Sequence, residues 1–306
     1  MNAPAGRIDS RDWSLLCVLS ILWGGSFFFN VVILKELPPL TVVFLRVALA
    51  AVFLLPLLWA YGIRMARELS GWAPFVAIAF FNNVLPFSLI VTGQTYIASG
   101  LASILNATTP LFTVMVMAVA GEEQLSARRI AGVVVGLIGV AVLRGEVVGF
   151  QTGQGIGILL CLGATVSYAL SALLARRLLA NSPPLGTATF QMMASTVMMA
   201  VVAAGIEQPW RLPVPGMVTW LALIGLAALS TALAYIVFFQ ILRRSGASNV
   251  MLVTLLIPVT AILLGYLVLG ENLSVRELSG AAVIGSALLL IDGRVLAWLR
   301  PQSAAS

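Results

Sequence analysis

The feature that most constrains this chain is a succession of long apolar runs. A helix needs about 20 mostly apolar residues to cross bilayer hydrocarbon. Ten such stretches occur near 12–34, 40–62, 73–93, 97–119, 128–145, 155–176, 186–206, 217–242, 247–269 and 277–298, joined by short connections with no room for a soluble domain. In lipid every backbone polar group must be satisfied internally, so only helices and closed barrels span. A barrel strand would alternate over about ten residues, but Ala, Leu, Val and Ile run on here without alternation. The reading is therefore an all-α integral membrane protein of ten transmembrane helices. Only 9% of the residues are charged, against about 25% in a soluble domain. That excludes a cytosolic enzyme, a secreted domain and a nucleic-acid binder. The net charge of +6 comes from scattered arginines, not one basic face. The first run is not a cleaved leader, because it contains bulky Trp23, Phe27, Phe28 and Phe29 and another span follows at once.

Orientation follows from Lys and Arg. With the N-terminus inside, the inner segments hold Arg7, Arg11, Arg64, Arg67, Arg128, Arg129, Arg176, Arg177, Arg243, Arg244, Arg294 and Arg300, and the outer loops only Lys35, Arg144, Arg211 and Arg276. Both termini are expected in the cytoplasm. The chain divides into a cytoplasmic tail (1–11), five spans (12–145), a periplasmic connection (146–154), five further spans (155–298) and a second tail (299–306). The halves resemble each other. Pro110, Glu123, Leu125, Ser126, Arg128 and Gly132 recur as Pro258, Glu271, Leu273, Ser274, Arg276 and Gly280, always 148 residues on. Pro39 and Pro184 form a weaker pair, as do Gln94 and Gln240. Five is odd, so the second half enters the membrane the other way up. Inverted repeats of this kind are a secondary-transporter design, with the substrate site near the midplane between them.

The segments Leu22-Trp23-Gly24-Gly25-Ser26-Phe27, Pro39-Leu40-Thr41 leading to Phe44-Leu45-Arg46, Ser99-Gly100-Leu101-Ala102-Ser103-Ile104-Leu105 running on to Thr109-Pro110-Leu111, and Gly121-Glu122-Glu123-Gln124-Leu125-Ser126 together resemble the EamA repeat of the drug/metabolite transporter superfamily. The resemblance covers nearly the whole chain. It implies two inverted five-helix EamA repeats in the bacterial inner membrane and export of metabolites or amino acids. Within the superfamily the chain is most similar to the YddG-type aromatic amino acid exporters. The second half departs from the pattern: Ala164-Thr165-Val166-Ser167-Tyr168 replaces the Trp-Gly-Gly-Ser-Phe segment, and Gln191 stands where Arg46 does.

All eleven acids lie in tails, loops or helix ends, and there is no histidine. Proton-driven pumps place such groups within the membrane, so facilitated, gradient-driven transport, or coupling that needs no buried acid, is expected. The span centres carry neutral polar and aromatic residues instead. Trp23, Ser26, Phe27, Asn82, Asn83, Asn106, Ser167, Tyr168, Tyr235 and Thr254 are the expected substrate-binding residues, with interhelical hydrogen bonding as the other role open to such groups. Pro86, Pro110 and Pro258 each lack an N–H and should free the carbonyl four residues back, on Asn82, Asn106 and Thr254. Those carbonyls either line a cavity and hold an ammonium group or belong to ordinary kinks. The three prolines join Arg46 and Gln191 as gating candidates. Arg46 and Gln191 each lie seven residues past the first proline of their span, and inversion sends them toward opposite mouths, with Arg46 holding a departing carboxylate. Gly132, Gly136, Gly139, Gly280 and Gly285 mark spans five and ten for close packing, within the chain or between subunits. Cys17 and Cys161 are expected to stay unpaired.

These residues favour an exporter with alternating access through a neutral central cavity. An intramembrane enzyme would need a base, metal ligands or a nucleophile pair, and a channel would need a filter or charged ring. A phosphate-ester carrier would need several cations in the path, where only Arg46 qualifies. The expected partners are the bilayer and a small molecule, either a zwitterion with a hydrophobic side chain or a cationic aromatic drug held by cation–π contacts. No cofactor, metal or nucleic acid is called for, and the protein is expected as a monomer or homodimer.

Overall fold

The computed structural model describes residues 9–63, 69–124, 126–144, 153–180, 182–245, 250 and 252–292. The tails and the 146–154 connection thus lie wholly or mostly outside the described residues. Among the described residues every regular element is helical. Helices α1 (Ser10–Ile33), α2 (Pro39–Ala60), α8 (Gln154–Leu178) and α9 (Pro184–Ile206) are continuous spans. Three further spans are segmented: α3 (Ala73–Ala79) with α4 (Leu85–Gly93), α5 (Ser99–Asn106) with α6 (Thr109–Val119), and α10 (Met217–Ala227) with α11 (Ala234–Ser245). These make seven stretches long and apolar enough to cross a membrane. Helix α12 (Val253–Leu264) continues through a π turn into the shorter apolar stretch Val253–Leu269. Helices α7 (Ala127–Arg144) and α13 (Val275–Asp292) have 18 residues each. They are less apolar because charges (Arg128, Arg129 and Arg144; Arg276, Glu277 and Asp292) crowd their ends.

The halves are inverted relative to each other. Helices α2 and α9 hold the same place in their halves, and each opens on a proline that is pre-set for the first helical turn. The start of α2 meets the end of α9, where Glu207 receives the Leu40 and Thr41 amides. Ile63, beyond the end of α2, packs on Gly186 at the start of α9. Two equivalent helices therefore run antiparallel. The same holds for α7 and α13. Gly132 lies against Ala287 and Ile291, whereas Gly139, further along α7, lies against Gly280 and Ile284. A Cβ on Gly139 would sit 3.2 Å from the Gly280 carbonyl oxygen, and one on Gly280 would sit 3.1 Å from that of Gly139. Each glycine is required by the other's backbone. Gly136 faces Leu111, also without room for a side chain. Gly285 differs from the expectation, because nothing approaches within 4 Å of its missing Cβ. The other glycines of spans five and ten serve packing within the chain.

The two ends of the bundle are fastened by different chemistry. At one end, carboxylates take the free amides of helix starts in the opposite half. Glu207 caps α2, with Thr41 N at 2.6 Å. Glu271 caps α5, with Ser99 N at 3.0 Å and Ser99 Oγ at 2.6 Å. Glu36 caps α10 through the Gly216 amide at 2.7 Å. At the other end the acids meet arginines: Arg177 donates to Glu122 at 2.7 Å, Arg129 to Glu123 at 2.6 Å and Arg244 to Asp12 at 3.0 Å. The Arg177 hydrogen bond holds the Glu122 carboxyl below its ordinary range, and the Asp12 hydrogen bond raises the Arg244 guanidinium. Cys17 and Cys161 are free, as expected. Two apolar cores fill the bundle, one around α1, α5, α8 and α12 and one around α2, α9 and α10, and Tyr168 packs against both.

Candidate functional site

Between the cores two hydrogen-bonded crossings link the halves, and they are equivalent. Both involve π turns, helical turns closed by an i→i+5 bond and often found at functional sites. One is Phe80–Val84, between α3 and α4; the other is Ala228–Leu233, between α10 and α11. Their first residues are 148 apart (228 − 80), which is the offset of the sequence repeat. Arg46 on α2 donates through Nε to Thr231 Oγ1 at 3.2 Å. Gln191 on α9 accepts through Oε1 from Asn82 Nδ2 at 2.9 Å and Asn83 Nδ2 at 3.4 Å. Asn83 and Thr231 are again 148 apart (231 − 83), and Arg46 and Gln191 each lie seven residues into their helix. A residue of the second span thus bonds a π turn of the other half, once in each direction.

Arg46 and Gln191 thus make equivalent links, one to each π turn. Asn82 Nδ2 also donates to the Tyr235 hydroxyl at 3.2 Å. Tyr235 and Thr231 are four residues apart on one span, about 6 Å along it at 1.5 Å per residue. Because α2 and α9 are antiparallel and each residue is a third of the way into its own helix, Arg46 and Gln191 approach the centre from opposite ends, about two to three turns apart along the helix pair. Asn83 is tied down further by donation to Ser195 Oγ at 3.0 Å. The Arg46 guanidinium carbon lies 3.8 Å from the centre of the Phe87 ring. The phenols of Tyr168 and Tyr235 are within electrostatic reach of Arg46.

At two of the prolines a side chain takes a carbonyl left without its amide. In the first π turn the Leu85 amide reaches back five residues to Phe80 O. The next donor in that register would be Pro86, which has none, so the orphaned acceptor is the Phe81 carbonyl. Ser167 Oγ donates to it at 2.7 Å. Pro110 stands at the second position of α6 after a break in the span. The Asn106 carbonyl, four residues before Pro110, accepts from Thr109 Oγ1 at 2.7 Å. Pro258 lies inside α12, with Thr254 half-buried one turn before it.

The remaining candidates form a second group beside the crossings. Trp23 packs on Phe238 with ring centres 5.5 Å apart, Phe238 on Phe239 at 5.2 Å, and Phe239 on Tyr235 at 6.0 Å. This row of rings joins the α1 side to the crossings. Phe27 is core, and its carbonyl accepts from Gln94 Nε2 at 2.9 Å. Ser26 turns back on the Trp23 carbonyl at 2.6 Å. The side-chain oxygens Asn106 Oδ1 and Ser230 Oγ are buried with no donor among the described residues. Sequence reading missed Phe87, Ser195, Phe238 and Phe239 as site residues. The i+3 and i+4 spacing of the two phenylalanines from Tyr235 was the available signal. A crevice of about 220 Å³ beside Glu271, lined by Gly100, Ile262, Tyr266 and Leu273 among others, shares no residue with the crossings.

Two inverted helical halves joined across buried polar crossings define the class: a multi-pass membrane transporter. The model of the EamA-like transporter family matches residues 13–145 and 155–292, one match per half, and the chain belongs to that family. It is 26% identical over 300 residues to a probable amino-acid metabolite efflux pump of Salmonella typhimurium, covering 92% of this chain and 95% of that one. It is also 26% identical over 287 residues to the uncharacterized transporter YvbV of Bacillus subtilis, covering 92% of each. A solved crystal structure shares the fold, with a TM-score of 0.65 at 19% identity over 92% of this chain and 97% of that one.

Proposed function

We propose that the protein exports amino acids with aromatic or other hydrophobic side chains, together with related metabolites, across the inner membrane by alternating access. The two halves rock about the crossings, with ten spans and both termini in the cytoplasm. The observation that carries this reading is the composition of the centre: amides, hydroxyls and a row of four rings, with buried acceptors on Asn106 and Ser230 still unpaired. An unpaired buried acceptor is costly, and an ammonium group relieves that cost. The rings suit an apolar side chain. The relatives named as amino-acid metabolite efflux pumps support the same class.

The test is counterflow of radiolabelled phenylalanine in proteoliposomes holding the purified full chain. Competition by aromatic amino acids, with none by lysine or glucose, is the expected result; competition by lysine or glucose equal to that by tryptophan would refute the substrate class. Orientation is checked by thiol labelling from outside in a Cys17→Ser background, which should reach a cysteine placed at 149–153 and miss one at 180–184.

A further inference from the structure

We propose that Arg46 is an anion site in the transport path and binds the carboxylate of the cargo, so that carboxylate-bearing molecules are carried and cationic drugs are not. This rests on the crossings lying in the path, as read above. Arg46 is 7% exposed. Its contacts are a neutral hydroxyl, on Thr231, and the face of a ring, on Phe87. Neither neutralises a charge. Among the described residues no carboxylate lies within 4 Å of it, and the acids themselves show why. Asp9 and Asp12 hold Arg244. Glu122 holds Arg177, and Glu123 holds Arg129. Glu36, Glu207 and Glu271 are spent on helix starts, Glu207 on the Leu40 and Thr41 amides of the helix that carries Arg46. Glu277 closes the start of α13 on Ser274 at 2.7 Å. Glu68, Glu146 and Asp292, whose side chains lie outside the described residues, belong to connections and a helix end.

A cation taken out of water without a counter-charge is strongly disfavoured. Among the described residues no carboxylate supplies that charge, and the proposal has it arrive with the cargo. Nε is spent on Thr231, which leaves both Nη groups of the guanidinium fork without an acceptor among the described residues, and that fork fits a carboxylate bidentately. The phenols of Tyr168 and Tyr235, in electrostatic reach, add O–H donors for the same anion. A purely mechanical role is answered by the second crossing. Gln191 makes the equivalent link with no charge, so joining the halves does not require one. Only one of the two crossings is charged, which sets one anion per chain.

The probes are 3-phenylpropionate and its amide, matched in shape and differing by one charge. They are titrated against the full chain in nanodiscs, with the thermal midpoint and intrinsic tryptophan fluorescence as readouts. The wild-type protein should bind the carboxylate about ten- to a hundredfold more tightly than the amide, the worth of a charge-assisted hydrogen bond. Arg46→Gln should erase that preference and Arg46→Lys should keep part of it. Equal binding of the two probes by the wild type, binding of neither, or an Arg46→Gln protein that still prefers the carboxylate would each overturn the proposal. The wild-type comparison stands even if the glutamine variant fails to fold. Phenylalanine left untransported by a protein that keeps the carboxylate preference would refute the amino-acid reading and leave the anion site standing.

Discussion

The π turns at Phe80–Val84 and Ala228–Leu233 occupy the same place in the two halves but are completed differently. In the second turn, Ala234 donates its amide to the Leu229 carbonyl, five residues back. The equivalent residues in the first turn, by the same 148-residue step, are Pro86 and Phe81. Pro86 has nothing to donate, and the Phe81 carbonyl is served by Ser167 from α8 instead. The first turn therefore depends on a neighbouring helix of the other half, and the second is self-sufficient. The crossings built on them differ as well: the first turn meets neutral Gln191, the second meets charged Arg46. Duplication supplied one backbone geometry twice, and later divergence gave one copy a structural partner and the other a charge. For the amino-acid cargo proposed above, that asymmetry would distinguish the two ends of the zwitterion.

The largest effect is expected from cutting the neutral crossing. Asn82→Leu removes donors to both Gln191 and Tyr235. Counterflow should fall to background while the protein stays monodisperse in detergent, and Asn106→Leu, which removes a buried unpaired acceptor, should do the same. A well-folded double variant that transports normally would remove both residues from the path.

A double-mutant cycle sharpens the contrast between the turns. Ser167→Ala strands the buried Phe81 carbonyl and should cost about 1–3 kcal/mol of stability in chemical denaturation. Pro86→Ala restores the missing amide, so adding it to Ser167→Ala should recover much of that loss. Additive losses would mean that the hydroxyl and the absent N–H are unconnected.

Smaller effects separate the two ends. Glu123 and Glu271 are repeat equivalents, yet Glu271 caps α5 across the halves while Glu123 sits in an exposed ion pair. Glu271→Ala should cost about 1–2 kcal/mol and Glu123→Ala less than about 1 kcal/mol. The reverse order would deny the capping role. The smallest effect is a pH dependence at the arginine end. The Arg177 hydrogen bond lowers the Glu122 carboxyl from its ordinary 4.5. A depressed carboxyl contributes stability above the unfolded value and loses it as pH falls through the folded one. The thermal midpoints of wild type and Arg177→Gln should therefore differ at pH 6 and converge below 4.5. A gap that persists at low pH would assign the Arg177 effect to packing.

Much of the architecture was legible in the chain. Long apolar runs report the solvent, because an unsatisfied backbone in lipid leaves few alternatives. A motif recurring after 148 residues reports duplication, and the odd number of spans between copies reports inversion. Gly139 and Gly280 could be marked for close approach because a missing Cβ has few other uses inside a span. The candidate site was legible as a set of residue types: Arg46, Gln191, Asn82, Asn83 and Tyr235 stood out as polar groups deep in apolar runs. What the chain did not reveal was who meets whom. The i−4 rule pointed to the Asn82 carbonyl; in the register of the π turn Pro86 also fails the Phe81 carbonyl, which Ser167 serves from α8. Phe87 looked like any apolar residue until Arg46 came to rest over its ring.

The sequence by itself determined the membrane as solvent, the duplicated halves and the single charge deep in a span, since each is a property of composition and order along the chain. Only the tertiary structure decided that Arg46 and Gln191 each bond a π turn of the other half, that Ser167 replaces a proline's missing amide, and that the acids are committed at the ends of the bundle. Most of those outcomes depend on partners far apart along the chain, 86 residues for Ser167 and Phe81 and 185 for Arg46 and Thr231, and packing in three dimensions selects them.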